Sequence, residues 1–223
     1  CCMSSDVEVA RALAVGATAL GFVSAMPSGP GPISEDLIAR LVPLVPPSVD
    51  TFLLTSLTEP QSIAAQHARC GTSTIQLVDH LEPDALRALR RLVPSVRLVQ
   101  VVHVTGPSSI DEAEEAAPLV DAILLDSGNP SAARKELGGT GRTHDWKVSA
   151  LLREAVAPVP VLLAGGLRAD NVAEAIRQVQ PFGVDVCSGV RSAGILDAEK
   201  LGAFVRAARG RTNSVRASPT PAQ

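Results

Sequence analysis

Two glycine-containing turns late in the chain are the clearest candidates for a site that binds an anion. The segments LLAGGL and VDVCSGV each end an apolar run. Glycine has no side chain, so backbone amides in such turns can approach a phosphate group closely. The alternative is that both are tight turns required only for packing. The residues concerned are Gly165, Gly166, Ser188 and Gly189.

A third glycine-containing segment, GGTG, lies in a long connection, 128–145, between an apolar run and a predicted helix. Connections of this length are uncommon unless they bind a ligand or close over a site. The segment therefore predicts a lid loop, with a flexible surface excursion as the alternative. Its residues are Gly138, Gly139, Thr140 and Gly141.

Two residue types at the predicted strand ends could move protons. Asp126 closes the run AILLD, so we expect its carboxylate at a strand end, although it could equally cap the following turn. Cys1 and Cys2 precede the first predicted helix, where a thiol can exchange a proton, but buried cysteines without a function are commoner. Asp185 is interpreted as a structural carboxylate, and Asp79 is a weaker candidate.

The other cysteines and histidines form no metal-binding pattern. The four cysteines show no paired spacing, the four histidines are widely separated, and no CxxC pair occurs. Cys187 is expected to pack within the last strand and Cys70 at the end of a helix, neither with a function. We predict no metal, no cofactor and a reducing compartment, the cytoplasm.

Composition excludes several classes of partner. The 223 residues carry a net charge of −3 and are 46% hydrophobic, which is typical of a globular protein without a nucleic-acid footprint. No apolar run approaches the roughly 20 residues that span a bilayer, and no signal peptide is expected. The sequence predicts no nucleic-acid partner and no membrane segment, and leaves the oligomeric state open.

Apolar β-branched runs alternate with segments of helical periodicity, as in a parallel sheet covered by helices. Eight helix candidates but only seven strands are found, and the first helix begins at Ser4 or Ser5. We therefore expect a (β/α)8 barrel over 1–210, one domain, whose first strand is largely missing, followed by a disordered tail at 211–223. A flavodoxin-like or Rossmann sheet is the alternative, but no GxGxxG follows an early strand. The predicted strands are 19–25, 51–56, 74–79, 97–104, 122–127, 159–165 and 184–189.

These motifs, taken together, resemble phosphoribosylanthranilate isomerase. The segments LLDS, GGTGRTHDW, VPVLLAGGLRADNVAEAIR, PFGVDVCSGV and DAEKLGAFVRA are similar to that family in order and spacing. The resemblance extends to GATALGF at 16–22 and to the cysteines that precede it. The spacing from this segment favours Cys1 over Cys2 as the counterpart of the family's functional cysteine. The resemblance implies an aldose-ketose isomerase, an intramolecular oxidoreductase of tryptophan biosynthesis, with Cys1 as general base and Asp126 as general acid. Its small-molecule substrate is a phosphosugar.

The chain departs from the family pattern in two loops. The family's arginine for the anthranilate carboxylate has no counterpart between Phe22 and Arg40, where 26–34 reads MPSGPGPIS. Val78 and Asp79 stand where the family has histidine and glycine, and His103 lies in the region of a family lysine. These departures keep two alternatives open, a barrel enzyme acting on another phosphosugar and a non-catalytic phosphate-binding protein.

Overall fold

Seven parallel strands form one sheet in which each strand pairs with the next along the chain. The computed structural model describes residues 1–128 and 141–210. Sequential parallel pairing with a helix between strands is the arrangement of a (β/α)8 barrel, so the predicted fold class is confirmed. The strands are β1 Ala19–Val23, β2 Asp50–Thr55, β3 Thr74–Leu77, β4 Arg97–His103, β5 Ala122–Asp126, β6 Val161–Leu163 and β7 Gly183–Val184.

The helices cover the outer face of the sheet, and all eight predicted helices are present. Short polar side chains fix several of their starts: Ser5 accepts a hydrogen bond from the amide of Glu8, and Asp145 accepts one from the amide of Lys147. The helices are α1 Asp6–Ala14, α2 Glu35–Leu41, α3 Pro60–Cys70, α4 Pro83–Leu92, α5 Ser109–Ala116, α6 Trp146–Ala155, α7 Val172–Val179 and α8 Ala198–Arg209. Within the described residues, none of them could cross a bilayer.

The last predicted strand, 184–189, is wrong in extent. Only Gly183–Val184 pairs with β6, and the chain then enters a 3-10 turn, Ser188–Val190. A hairpin follows, in which β8 Arg191–Ser192 pairs antiparallel with β9 Ile195–Leu196. Strands of two residues show no periodicity, so the sequence pattern could not predict this hairpin.

Alternation along the strands separates two apolar clusters, one beneath the helices and one inside the sheet. The inner cluster includes Val99 and Val101 of β4 and Leu124 of β5. Side chains two positions apart lie on the same face, so His103 and Asp126 continue this inner face at the carboxyl ends of β4 and β5. They are also register partners. The fold therefore places His103 and Asp126 next to each other at the barrel mouth.

Residues 1–3 occupy the seam between the last and first strands, where the end of the expected first strand would lie. The amide of Met3 donates to the carbonyl of Gly21 in β1 at 2.9 Å, and the nitrogen of Cys1 donates to the carbonyl of Val186 at 2.9 Å. A Cβ at Gly21 would lie 2.8 Å from Cys1 Cβ, so the glycine permits this approach. The seam positions Cys1 beside the end of β7.

Candidate active site

A pocket opens at the carboxyl ends of β5, β6 and β7. It brings together both predicted proton carriers, three of the four predicted phosphate-binding residues and Gly141 of the predicted lid. Gly138, Gly139 and Thr140 lie outside the described residues. The lining residues are Cys1, Asp126, Gly141, Ala164, Gly165, Gly166, Leu167, Asp185, Val186, Cys187 and Ser188.

Asp126 lies in surroundings that favour its protonated form. Burial raises the pKa of its carboxyl group, and the nearby Asp185 carboxylate raises it further. A hydrogen bond from the Ser127 amide to Asp126 Oδ1, at 2.7 Å, and the charge of His103 act in the opposite direction, but the pKa stays above its usual value. A carboxyl group held in this way is suited to donate a proton.

His103 is fixed next to Asp126 and only 5% exposed. Its Nε2 lies 3.0 Å from the carbonyl oxygen of Val78, which can only accept, so Nε2 carries hydrogen. Nδ1 has no hydrogen-bond partner among the described residues. The sequence interpretation gave His103 no role, although its spacing of two from Val101 signals an inward side chain.

Cys1 is held at the pocket by its backbone nitrogen. That nitrogen lies 3.0 Å from Asp185 Oδ1 and donates to the Val186 carbonyl. The interpretation of Asp185 as only a structural carboxylate missed its place in the pocket, where it lies next to the Cys1 nitrogen and raises the pKa of Asp126.

The two glycine turns pack against each other and against the end of the lid connection. A Cβ at Gly166, which has φ +62°, would lie 2.4 Å from the backbone carbon of Arg142. A Cβ at Gly189 would lie 1.9 Å from the carbonyl oxygen of Leu167. Gly189 is thus packed behind the pocket rather than on its lining. Close packing explains these glycines structurally, and phosphate binding at this rim stays a prediction.

Comparison with known proteins decides the family. A sequence model of the N-(5'phosphoribosyl)anthranilate (PRA) isomerase family matches residues 1–207. The N-(5'-phosphoribosyl)anthranilate isomerase of Haloferax volcanii is 39% identical over 218 residues, which cover 94% of this chain and 91% of the relative. The chain belongs to the PRA isomerase family.

Solved structures of PRA isomerases agree with this assignment. The enzyme from Thermotoga maritima superposes with a TM-score of 0.79 at 28% identity and covers 94% of this chain and 97% of its own. A PRA isomerase in complex with reduced 1-(o-carboxyphenylamino)-1-deoxyribulose 5-phosphate superposes with a TM-score of 0.76 at 26% identity. It covers 94% of this chain and 96% of its own.

In this member of the PRA isomerase family, a buried ion pair ties the seam to the segment after β7. Arg191 Nη1 and Nη2 bind Glu8 Oε1 and Oε2 at 2.8 and 3.0 Å, and both side chains are under 10% exposed. Arg191 also donates to the carbonyl of Cys2. We call this ion pair the Glu8–Arg191 clasp, and it fixes the backbone next to Cys1.

Hydrogen bonds dominate the electrostatics of the clasp. Burial pushes the pKa of Glu8 up, but Arg191 and the backbone amides of Leu196 and Ser4 together lower it from 4.5 to about 2. Glu8 is therefore charged at every pH at which the protein is expected to work.

The structure pairs two cysteines for which the sequence showed no paired spacing. Cys2 and Cys187, separated by 185 residues, form a disulfide, whereas Cys1 and Cys70 are free. Their spacing gave no hint of this pair, because only the fold brings the residues before α1 next to the segment after β7. The Sγ atoms of Cys1, Cys2 and Cys187 all lie within 4.8 Å of one another.

The residues that depart from the PRA isomerase pattern are not among those that line the pocket. Val78 is buried and its carbonyl holds His103. Asp79 Oδ1 accepts a hydrogen bond from the amide of His80 at 3.0 Å, and Asp79 does not line the pocket. The suggestion that Asp79 serves the mouth directly gains no support from this position.

Proposed function

We propose that this chain is a PRA isomerase, an aldose-ketose isomerase of tryptophan biosynthesis that works in the cytoplasm. The observation that carries the proposal is one pocket with Cys1 and Asp126 on its walls and the two glycine turns at its rim, in a chain that matches the family over 1–207. We also propose that 1–210 forms a single domain.

Asp126 is proposed as the general acid. The Amadori rearrangement begins when a proton reaches the furanose ring oxygen, the C1–O bond breaks, and the aryl nitrogen lone pair forms an iminium ion. The donor must be protonated before the reaction, and the raised pKa of Asp126 supports this role.

Cys1 is proposed as the general base. Its thiolate would take the proton from the sugar C2, so that the electrons of the C–H bond neutralise the iminium ion and give the enolamine, which tautomerises to the 1-deoxyribulose phosphate product. The hydrogen bond from its nitrogen to the Val186 carbonyl holds its backbone on the pocket wall. Fixed positions of acid and base supply part of the rate enhancement.

The phosphate would bind at the rim formed by Gly165, Gly166 and Ser188. Asn171 stabilises this rim, because its side-chain amide donates to the carbonyl of Gly166 at 3.0 Å. A phosphate held there would place the sugar between Cys1 and Asp126. The related PRA isomerase in complex with a reduced deoxyribulose phosphate supports a phosphosugar as the substrate.

The test is the loss of PRA fluorescence on turnover. The wild-type protein should convert PRA, and Asp126→Asn should lower kcat by at least about 100-fold, the lower range for general acid-base catalysis. Asp79→Asn, a matched change of a carboxylate outside the pocket, should retain activity. Wild-type protein without turnover, or an active Asp126→Asn variant, would contradict the proposal.

A second candidate is an isomerase of another ribose phosphate. It is favoured by the absence of arginine from 26–34 and by the apolar Val78, because the aglycone carboxylate then lacks the family's partner. Under this alternative, inorganic phosphate or ribose 5-phosphate raises the melting temperature but PRA is not converted. A panel of phosphoribosylamines then identifies the substrate.

A further inference from the structure

The cluster of three cysteine sulfurs at the pocket is not explained by the isomerase reaction, which uses one thiol. Cys1 Sγ lies 3.7 Å from Cys2 Sγ, about the van der Waals contact of two sulfurs, while Cys2 is bonded to Cys187. Cys1 and Cys187 both line the pocket, so a small molecule that enters the site can reach them. Cys2 is buried and does not line the pocket.

Cys2 occupies a backbone conformation that a cysteine would not adopt without compensation. Its φ is +64°, in the left-handed region, which is unfavourable for a non-glycine residue because Cβ approaches the following carbonyl oxygen. Its side chain fits only because Gly31 faces it, since a Cβ at Gly31 would lie 2.8 Å from Cys2 Cβ. Strain of this kind at an active site is an indication of a function for the residue.

We propose that Cys1, Cys2 and Cys187 form a thiol relay that reduces peroxides and returns Cys1 to its thiol form. In a reducing compartment a protein disulfide is usually transient and catalytic or redox-sensing, which fits a bonded Cys2–Cys187 pair beside a free Cys1. That the relay preserves isomerase activity, by keeping Cys1 reduced, rests on the proposed function. The reaction of the three sulfurs with peroxide does not.

The first step consumes the peroxide. The Cys1 thiolate attacks a peroxide oxygen, an S–O bond forms, the O–O bond breaks, and the leaving hydroxide or alkoxide takes a proton. The Cys187 thiolate then attacks the sulfur of the Cys1 sulfenic acid, an S–S bond forms, and water leaves. Finally, the Cys2 thiolate attacks Cys187 and displaces the Cys1 thiolate. The peroxide gains two electrons, and Cys2 and Cys187 supply them.

Backbone spacing sets this order. Neighbouring Cα atoms across a trans peptide lie about 3.8 Å apart, below the about 4.4 Å minimum of ordinary disulfides, so a direct Cys1–Cys2 bond is disfavoured. The Cα atoms of Cys2 and Cys187 lie 6.0 Å apart, within the ordinary range. The pair seen in the structure is therefore the end state of the relay. A small dithiol that enters the pocket would reduce this bond for the next cycle by attacking Cys187, which lines the pocket.

The test exposes fully reduced protein to one molar equivalent of hydrogen peroxide and maps the thiols by peptide mass spectrometry, with isomerase activity measured before and after. Wild-type protein should form the Cys2–Cys187 bond, keep Cys1 reduced and keep its activity. Cys187→Ser should instead carry oxidised Cys1. After peroxide treatment it should retain only a small part of the isomerase activity that the same variant has before treatment. Cys2→Gly, which suits the backbone at this position, should stop at a Cys1–Cys187 bond and recover activity in dithiol.

Cys70→Ala is the matched control and should behave as wild type. Cys70 is buried at the end of α3, and burial raises the pKa of its thiol from 9.0 to about 11. Equal oxidation of Cys1 in wild type and Cys187→Ser would overturn the relay, and so would rapid formation of the Cys2–Cys187 bond in Cys1→Ser. If wild-type protein lacks isomerase activity, the proposed function fails, but the thiol maps still decide the relay.

Discussion

Removal of the charge of Glu8 should destabilise the protein strongly and change how its stability depends on pH. In Glu8→Gln, Arg191 would keep its buried position but lose the carboxylate that binds both of its terminal nitrogens. Since each tenfold change in an acid constant corresponds to about 1.4 kcal/mol, lowering the pKa from 4.5 to about 2 corresponds to about 3 kcal/mol of unfolding free energy. The loss of one partner of a buried ion pair typically costs about 3–5 kcal/mol, in agreement.

The sign of the pH effect follows from the lowered pKa. The stabilisation by Glu8 is fully present above its unfolded pKa of 4.5 and is lost as pH falls through about 2. Urea unfolding of wild type should therefore show falling stability across this window. Glu8→Gln should be less stable at neutral pH and should lose less on acidification.

The matched control is Glu174→Gln, which removes one partner of the exposed pair with Arg177 on α7. Exposed pairs contribute little, so its unfolding curve should overlay that of wild type. The clasp also holds the carbonyl of Cys2, so Glu8→Gln should lower kcat as well. The reasoning is refuted if Glu8→Gln unfolds at the wild-type urea concentration at neutral pH and retains the wild-type acid dependence.

Three further variants test the pocket and its surroundings. Because the charge of His103 lowers the pKa of Asp126, His103→Gln should raise that pKa and move the alkaline limb of the kcat profile to higher pH; an unmoved limb with normal activity would exclude this coupling. Burial lowers the pKa of His144 from 6.5 to about 4, so the unfolded chain binds a proton that the folded protein does not. The unfolding free energy of wild type, measured with urea, should therefore fall by about 2 kcal/mol between about pH 7.5 and pH 5. His144→Phe should not show this fall. Gly189→Ala would place a Cβ 1.9 Å from the carbonyl of Leu167 and should abolish stabilisation by phosphate in thermal melts. Gly106→Ala, where a Cβ meets nothing within 4 Å, should melt and respond to phosphate as wild type does.

The sequence predicted the fold through local patterns and most of the candidate site through strand ends. Helical periodicity located α1 to α8, and Asp126 followed from its position at the end of AILLD, because local spacing alone determines both. The rest depends on contacts between distant segments. The Glu8–Arg191 clasp, the Cys2–Cys187 bond and the bond from Cys1 to Val186 each join residues more than 180 positions apart. No period in the sequence encodes such pairs, so they were missed.

The clasp also has a consequence for synthesis on the ribosome. Cys1 emerges before the other residues of the site, yet the backbone beside it is fixed by Arg191, whose hydrogen bond spans 183 positions to Glu8. Asp126 and the rim at 165–167 can form before Arg191 is synthesised, and Met3 can already bond to Gly21, but the carbonyl of Cys2 has no Arg191 partner until that residue appears. The backbone next to Cys1 therefore reaches its final position only through a late, long-range contact, and a nascent chain that ends before Arg191 lacks it.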